Sequence, residues 1–196
     1  MNSIITKLSN TLKGYKKRKE IKDIVLFGSL LKGKEDPSDI DVLIILETEV
    51  DKDLEYEVRN NLKKVQNKIS LNSTTTKELY EESFFARDAI FFEGFSLLEK
   101  QFLATKQGYV LWGLFKYKSA NLDNTKKTTF YYALNGRNNS QGLIKKYGLI
   151  RFSNNSVLVP LNKISLMTDF FDEWTEYTYL PMLIPTRLSR KDLLER

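Results

Sequence analysis

The chain contains no cysteine and no histidine. The first absence excludes disulfides, thiolate zinc sites and thiol nucleophiles. The second removes the commonest general base and the commonest metal ligand. Any metal held here must therefore sit on oxygen ligands, which favours magnesium or manganese. Long apolar runs are missing too. No stretch approaches the roughly 20 residues of a membrane span, and the opening MNSIITKLSN lacks the long apolar core of a secretion signal. The expectation is a soluble, cytoplasmic protein with no membrane partner. Apolar residues still make up 41% of the 196. That is enough for a packed core in one large domain or two small ones.

Acidic residues are scarce in one region only. Residues 1–100 carry 17 Lys/Arg against 18 Asp/Glu, and residues 169–196 carry 4 against 6. Residues 101–168 carry 10 Lys/Arg and a single acid, Asp123. The formal charge of +6 is thus concentrated in the middle third, where a positive field attracts polyanions.

Apolar spacing predicts the elements. Ile4, Ile5, Leu8, Leu12 and Tyr15 recur at helical intervals and predict a helix over 2–19. The cations Lys16 to Lys19 suit its C-terminal end. Ile24–Phe27 reads as a short strand closed by Gly28, and Ile40–Leu46 as the next strand. Leu54, Val58, Leu62 and Val65 predict a helix over 52–66, and KISLN (68–72) a strand. Thr75 and Glu78 fit a capping box that opens a helix running to about Phe92, with Gly94 as its stop. Phe95–Leu98 suggests one more short strand. Strands alternating with helices mean a small sheet covered by helices.

The second half differs. Residues 105–118 are aromatic and mixed. Asn124–Asn135 reads as a helix with Phe130, Tyr131 and Leu134 as its apolar face. NGRNNSQG (135–142) is a loop by composition. Gly148 closes a short helix, and LIRF and VLVP form a hairpin around SNNS. Ile164, Met167, Phe170, Phe171 and Trp174 share a helical face. YTYLPMLIP is extended, and its two prolines place it at a sheet edge. The change in charge balance sets a boundary near 100–107. The expected domains are 1–104, an α/β unit with a small mixed sheet flanked by helices, and 105–196, a smaller basic α+β unit.

One stretch breaks the apolar logic. LFGSLLKGKEDPSDIDVLII places Asp39 and Asp41 in what otherwise reads as a buried strand. Alternate strand residues share a face, about 6–7 Å apart, so the two carboxylates point together and repel. A divalent cation between them relieves this. So would a dedicated cationic partner for each, and Lys32 and Lys34 are near in sequence. Gly28 directly after a strand lets the backbone approach a ligand closely. Ser29 offers a hydroxyl and an N–H at the start of a turn, a position that favours phosphate. A phosphate-binding turn facing two carboxylates is the layout for magnesium–nucleotide chemistry.

The pattern F-G-S-x9-D-I-D-V resembles the signature of the polymerase-beta-like nucleotidyltransferases, and the loop GSLLKGKEDPSDID resembles their small "minimal" prokaryotic members. The resemblance covers about residues 20–100, including EG-x-x-LLE at 93–99. Residues 105–196 carry no such resemblance. It implies that Gly28 and Ser29 hold nucleotide phosphates and that Asp39 and Asp41 bind Mg2+ or Mn2+ and carry the catalysis. Lys32 and Lys34 stand close enough in sequence to touch the triphosphate, with solvent-exposed loop charge as the competing reading. The donor implied is a nucleoside triphosphate, ATP foremost. The product is a nucleoside monophosphate transferred to a hydroxyl of RNA or of a protein, since minimal members include antitoxins that modify a partner toxin.

The chain departs from that pattern at one position. Active members carry a third carboxylate on the strand after the long helix. Here the matching position is Ser70, with Asn72 on the same face, and neither can act as a base near neutral pH. Glu47 shares the face of Asp41, but six strand residues carry it about 20 Å away. Asp88 and Glu93 lie on the following helix and reach the site only if the fold bends them inward; their plainer reading is exposed helix charge. Two outcomes follow: an enzyme working with two carboxylates, or a degenerate fold that binds nucleotide or nucleic acid without turnover. A subunit completed by a protein partner is a third. In the basic half, cations interleave with aromatics, the ingredients of a nucleic-acid surface. Lys126, Lys127, Arg137, Lys145 and Lys146 are the candidates for RNA, DNA or acceptor contact. Trp112, Phe115 and Phe130 read as core.

Overall fold

The computed structural model describes residues 3–138 and 140–189. Residue 2 of the predicted first helix, Asn139 of the NGRNNSQG loop and residues 190–196 of the basic half lie outside the described residues. The chain forms two compact units. The first comprises Met1–Leu31 and Glu35–Gln107, the second Lys32–Lys34 and Gly108–Arg196.

The first unit begins with α1 (Ser3–Thr11) and a 3-10 turn at Lys13–Lys17, followed by β1 (Ile21–Phe27), β2 (Ile40–Leu46), α2 (Lys52–Lys63) and β3 (Ile69–Thr75). Next come α3 (Thr76–Leu79), α4 (Arg87–Glu93), β4 (Phe95–Ser96), β5 (Gln101–Phe102) and α5 (Leu103–Lys106). The five strands form one mixed sheet in the order β3-β2-β1-β4-β5. β2 and β3 are parallel, while β1 runs antiparallel to β2 and β4. The central strands are apolar almost throughout because both faces are covered. Val25, Leu43 and Ile45 pack with Leu79, Ala86 and Ile90 of the α3–α4 region. The alternate residues Ile24, Leu26, Val42 and Ile44 are fully buried as well.

Two predicted helices are shorter than their periodicity suggests. The first does not run to residue 19: α1 ends at Thr11 and the chain tightens into the 3-10 turn. Gly14 lowers helix stability there, and the tighter turn buries Tyr15, whose hydroxyl donates to Glu57 at 2.8 Å. The second breaks after one turn. Its capping box forms as expected, with Thr75 Oγ1 accepting from Glu78 N and Thr75 N donating to Glu78 Oε2, both at 3.2 Å. Beyond Leu79, three-residue turns such as Phe84 N to Glu81 O and Arg87 N to Phe84 O replace the helical ladder. Ser83 and two adjacent phenylalanines, all weak helix formers, occupy the break.

One buried charge belongs to this fold alone. Asp23 is 8% exposed, and its Oδ1 accepts from Ser96 Oγ at 2.7 Å and from Ile24 N at 2.8 Å. Burial raises its pKa above the ordinary 3.8; the two hydrogen bonds and Lys106 offset this in part, and Glu99 adds to it. With the folded pKa raised, the native state holds the proton longer than the unfolded chain. Stability from this group is therefore present below pH 3.8 and lost as pH climbs through the folded pKa. Asp23→Asn keeps both acceptor contacts and removes the charge. It is expected to melt higher than wild type at pH 7, with the gap closing toward acid pH in a thermal-melt series. A variant that melts lower at every pH would refute this.

The second unit contains β6 (Tyr109–Tyr117), α6 (Asn124–Asn135), β7 (Gly136–Arg137), β8 (Ser140–Gln141) and α7 (Leu143–Tyr147). It continues with β9 (Ile150–Ser153), β10 (Ser156–Pro160), α8 (Ile164–Trp174) and β11 (Tyr177–Pro185). Its four-stranded sheet has the order β11-β6-β10-β9, so the proline-bearing β11 lies at an edge. LIRF and VLVP pair antiparallel as β9 and β10. The core is aromatic: Phe115 stacks on Phe171 of α8, with ring centroids 5.3 Å apart, and Phe130 of α6 stacks on Phe170. Tyr131 does not join that core. It lies about 100° round the helix from Phe130 and is exposed. Within the NGRNNSQG segment β7 and β8 pair antiparallel, Gly136 with Gln141 and Arg137 with Ser140, where its composition suggested only a loop.

Candidate active site

The site grows from the end of β1. Register pairs Phe27 with Asp41 across the antiparallel strands and Asp41 with Ser70 across the parallel ones. Asp41 thus stands between the two, on the sheet face it shares with Leu43 and Ile45, the face that α3 and α4 cover. It is half-buried. Asp39 precedes β2 rather than lying in it; it is exposed, and its Oδ1 accepts from Ser38 Oγ at 3.0 Å.

Gly28 ends β1 with φ +87°. A Cβ there would lie 2.5 Å from Asp41 Oδ2, closer than real carbon–oxygen contacts allow. No side chain separates this backbone from the carboxylate, which is the property expected of a turn that a ligand approaches closely. Gly28 O accepts from Leu31 N at 3.2 Å, closing the turn, and Ser29 is half-buried within it.

The charge reading of Glu93 is overturned. Asp88 is exposed, as expected, but Glu93, the last residue of α4, is only 5% exposed. Its Oε1 accepts the Gly28 N–H at 3.1 Å. Sequence reasoning treated it as a surface charge on a helix. The available signal was IFFEGF, a lone acid inside an apolar run, the same anomaly that marked Asp41. Glu47 is remote from the site and pairs with Lys22 at 3.2 Å.

The remaining candidates belong to the second unit. Lys32 is half-buried and Lys34 exposed. Arg137 and Lys145 line one concavity of about 490 Å3 with Asn135 and Gln141. The Arg137 guanidinium lies 4.7 Å from the Tyr132 ring, and Lys146 lies over Tyr147 at 5.2 Å. Lys126 and Lys127 are exposed in the first turn of α6, roughly 12–14 Å along that helix from its end at Asn135, and do not line the concavity. Trp112 is half-buried, while Phe115 and Phe130 are buried, which leaves Tyr109 and Tyr131 with open ring surface.

Cation fit follows from the donor set. Asp39 and Asp41 offer hard oxygen ligands only, and the Gly28 backbone lies directly against the Asp41 carboxylate. This suits Mg2+ or Mn2+, which take one or two carboxylates and fill other positions with water and phosphate. Among the described residues no three acidic side chains gather into a metal cage. No helix among them is long and apolar enough to cross a membrane.

The site combines a mixed sheet, a glycine turn closing its central strand and an acidic return strand facing that turn. Residues 7–94 match the family described as Polymerase beta, Nucleotidyltransferase. A search of curated proteins found no match to the chain.

Proposed function

We propose that the protein transfers a nucleoside monophosphate from a nucleoside triphosphate, ATP foremost, to a hydroxyl acceptor and releases pyrophosphate. The acceptor hydroxyl belongs to RNA or to a partner protein. The observation that carries this reading is the Gly28 backbone set flush against the Asp41 carboxylate. The Ser29 N–H and hydroxyl hold phosphate oxygens, and Asp39 and Asp41 hold Mg2+ or Mn2+. When bound, such an ion neutralises charge on the triphosphate and orients it for in-line displacement. The acceptor oxygen forms a bond to the α-phosphorus as the bond to the bridging oxygen breaks. Pyrophosphate leaves with the electron pair. Ser70, the register partner of Asp41, is no base near neutral pH, so the acceptor proton passes to water.

Ser70 also favours the second reading, a catalytically degenerate domain that binds nucleic acid through the basic residues of the second unit. One assay separates the two. Purified protein receives each α-labelled nucleoside triphosphate with magnesium or manganese, together with cellular RNA and lysate protein. Label in RNA or protein, lost at least about 100-fold in Asp41→Ala, supports transfer and identifies donor and acceptor together. Salt-sensitive RNA or DNA binding without label, unchanged in Asp41→Ala, supports the degenerate reading.

A further inference from the structure

Glu93 is the one carboxylate at the site to which transfer chemistry assigns no task. It is 5% exposed, and burying a polar side chain is costly unless it is hydrogen-bonded. The chain secures its place from two sides. Gly94 directly follows, and a Cβ there would lie 2.3 Å from Ile90 O and 2.9 Å from Val25 Cγ1. The end of α4 is thereby pressed onto β1 at a distance only glycine permits. Gly94 O then accepts from Leu103 N at 2.9 Å, anchoring the chain as it leaves the helix. Glu93 Oε1 reaches the Gly28 N–H, 65 residues away in sequence.

We propose that Glu93 is a positioning residue for the phosphate-binding turn; the inference rests on the nucleotidyl-transfer reading. The bond spans distant parts of the chain, and what it supplies is direction, since a hydrogen bond weakens steeply away from linearity. It fixes the plane of the Phe27–Gly28 peptide. That plane, together with the positive φ of Gly28, sets the direction in which the chain carries the Ser29 N–H and hydroxyl. It also consumes the Gly28 N–H, so phosphate recognition at this turn falls to Ser29. The same peptide lies against Asp41, so one hydrogen bond holds the phosphate side and the acidic side in register.

The role is geometric, and the variants separate geometry from charge. Glu93→Gln keeps the acceptor oxygen and drops the charge. Glu93→Asp keeps the charge and falls short of Gly28 by one methylene. Glu93→Ala drops both. Binding of a fluorescent ATP analogue with magnesium, and the Gly28 and Ser29 amide signals in a 15N spectrum, are measured for all four proteins. The expected result is binding within about threefold of wild type for Glu93→Gln, and weakened about tenfold or more for Glu93→Asp and Glu93→Ala. The Gly28 amide signal should move and exchange faster in the latter two. Should Glu93→Ala fail to fold, the Gln and Asp variants alone rank geometry against charge. Equal damage in Gln and Asp, or wild-type binding in all three, overturns the role of Glu93. A wild-type protein that binds no nucleotide overturns the transfer reading, and this inference with it.

Discussion

Gly28→Ala is expected to silence nucleotide transfer while leaving most of the chain folded. Two costs coincide at this residue. Its φ of +87° lies where an L side chain is strained, a cost of about 1–2 kcal/mol. The new Cβ would also lie 2.5 Å from Asp41 Oδ2 and 3.4 Å from its Cγ. Either the turn or the carboxylate must give way. Asp41 is fixed by strand pairing on both sides, so the displacement falls on the turn that carries Ser29. A shift near 1 Å in a positioning group costs on the order of 100-fold in rate. The measurement is label transfer at saturating nucleoside triphosphate, with a thermal melt beside it. Gly14→Ala is the matched control: outside its own turn no atom lies within 4 Å of the added carbon, so transfer should persist, with stability changed by no more than about 1 kcal/mol. Wild-type transfer by Gly28→Ala would remove the close backbone approach from the mechanism.

Phe171→Ala is expected to be the most destabilising single truncation in the second unit. The residue is fully buried. Its ring stacks on Phe115 at 5.3 Å and on Tyr117 at 5.4 Å, and it meets Tyr177 at 5.5 Å. It therefore joins α8 to β6 and β11 at one point. Phe→Ala in such a setting removes transfer energy and leaves a cavity, together about 3–5 kcal/mol, and aromatic pairs add to that. Helix and sheet cannot close over the gap independently, because three rings from two strands lean on the same one. Denaturant unfolding followed by tryptophan fluorescence reads the loss; a shift under about 1 kcal/mol would mean that the aromatic cluster repacks. Phe170→Ala is the comparison, since Phe170 is only half-buried on the same helix and should cost less.

Much of the molecule was legible in its sequence, for reasons that act over a few residues. Asn124–Asn135 is helical between the boundaries its apolar spacing implied, and the Thr75–Glu78 box caps α3 because both partners lie within one turn. LIRF and VLVP had to pair because SNNS allows only a reversal. Pro181 and Pro185 lack the N–H that an inner strand needs, so β11 lies at an edge. Local cues failed where two of them conflicted. Apolar periodicity argued for continuous helices over 2–19 and 75–92, and weak helix formers at Gly14 and Ser83–Phe85 argued against. The breaks won because they let Tyr15 turn inward and α4 reset against β1.

The sequence by itself determined the domain type, the oxygen-only chemistry of its acidic pair and the glycine turn, since each depends on residue identity at short spacing. Only the tertiary structure decided which of these charges are buried. Asp39 read as a metal ligand and Glu93 as a surface charge, yet Asp39 is exposed before β2 and Glu93 is buried against Gly28. The register of β2 on β3 set Ser70 beside Asp41. The docking of α4 on β1, permitted by Gly94, carried Glu93 inward. Burial of a polar group depends on what packs over it from distant sequence, and no local propensity carries that information.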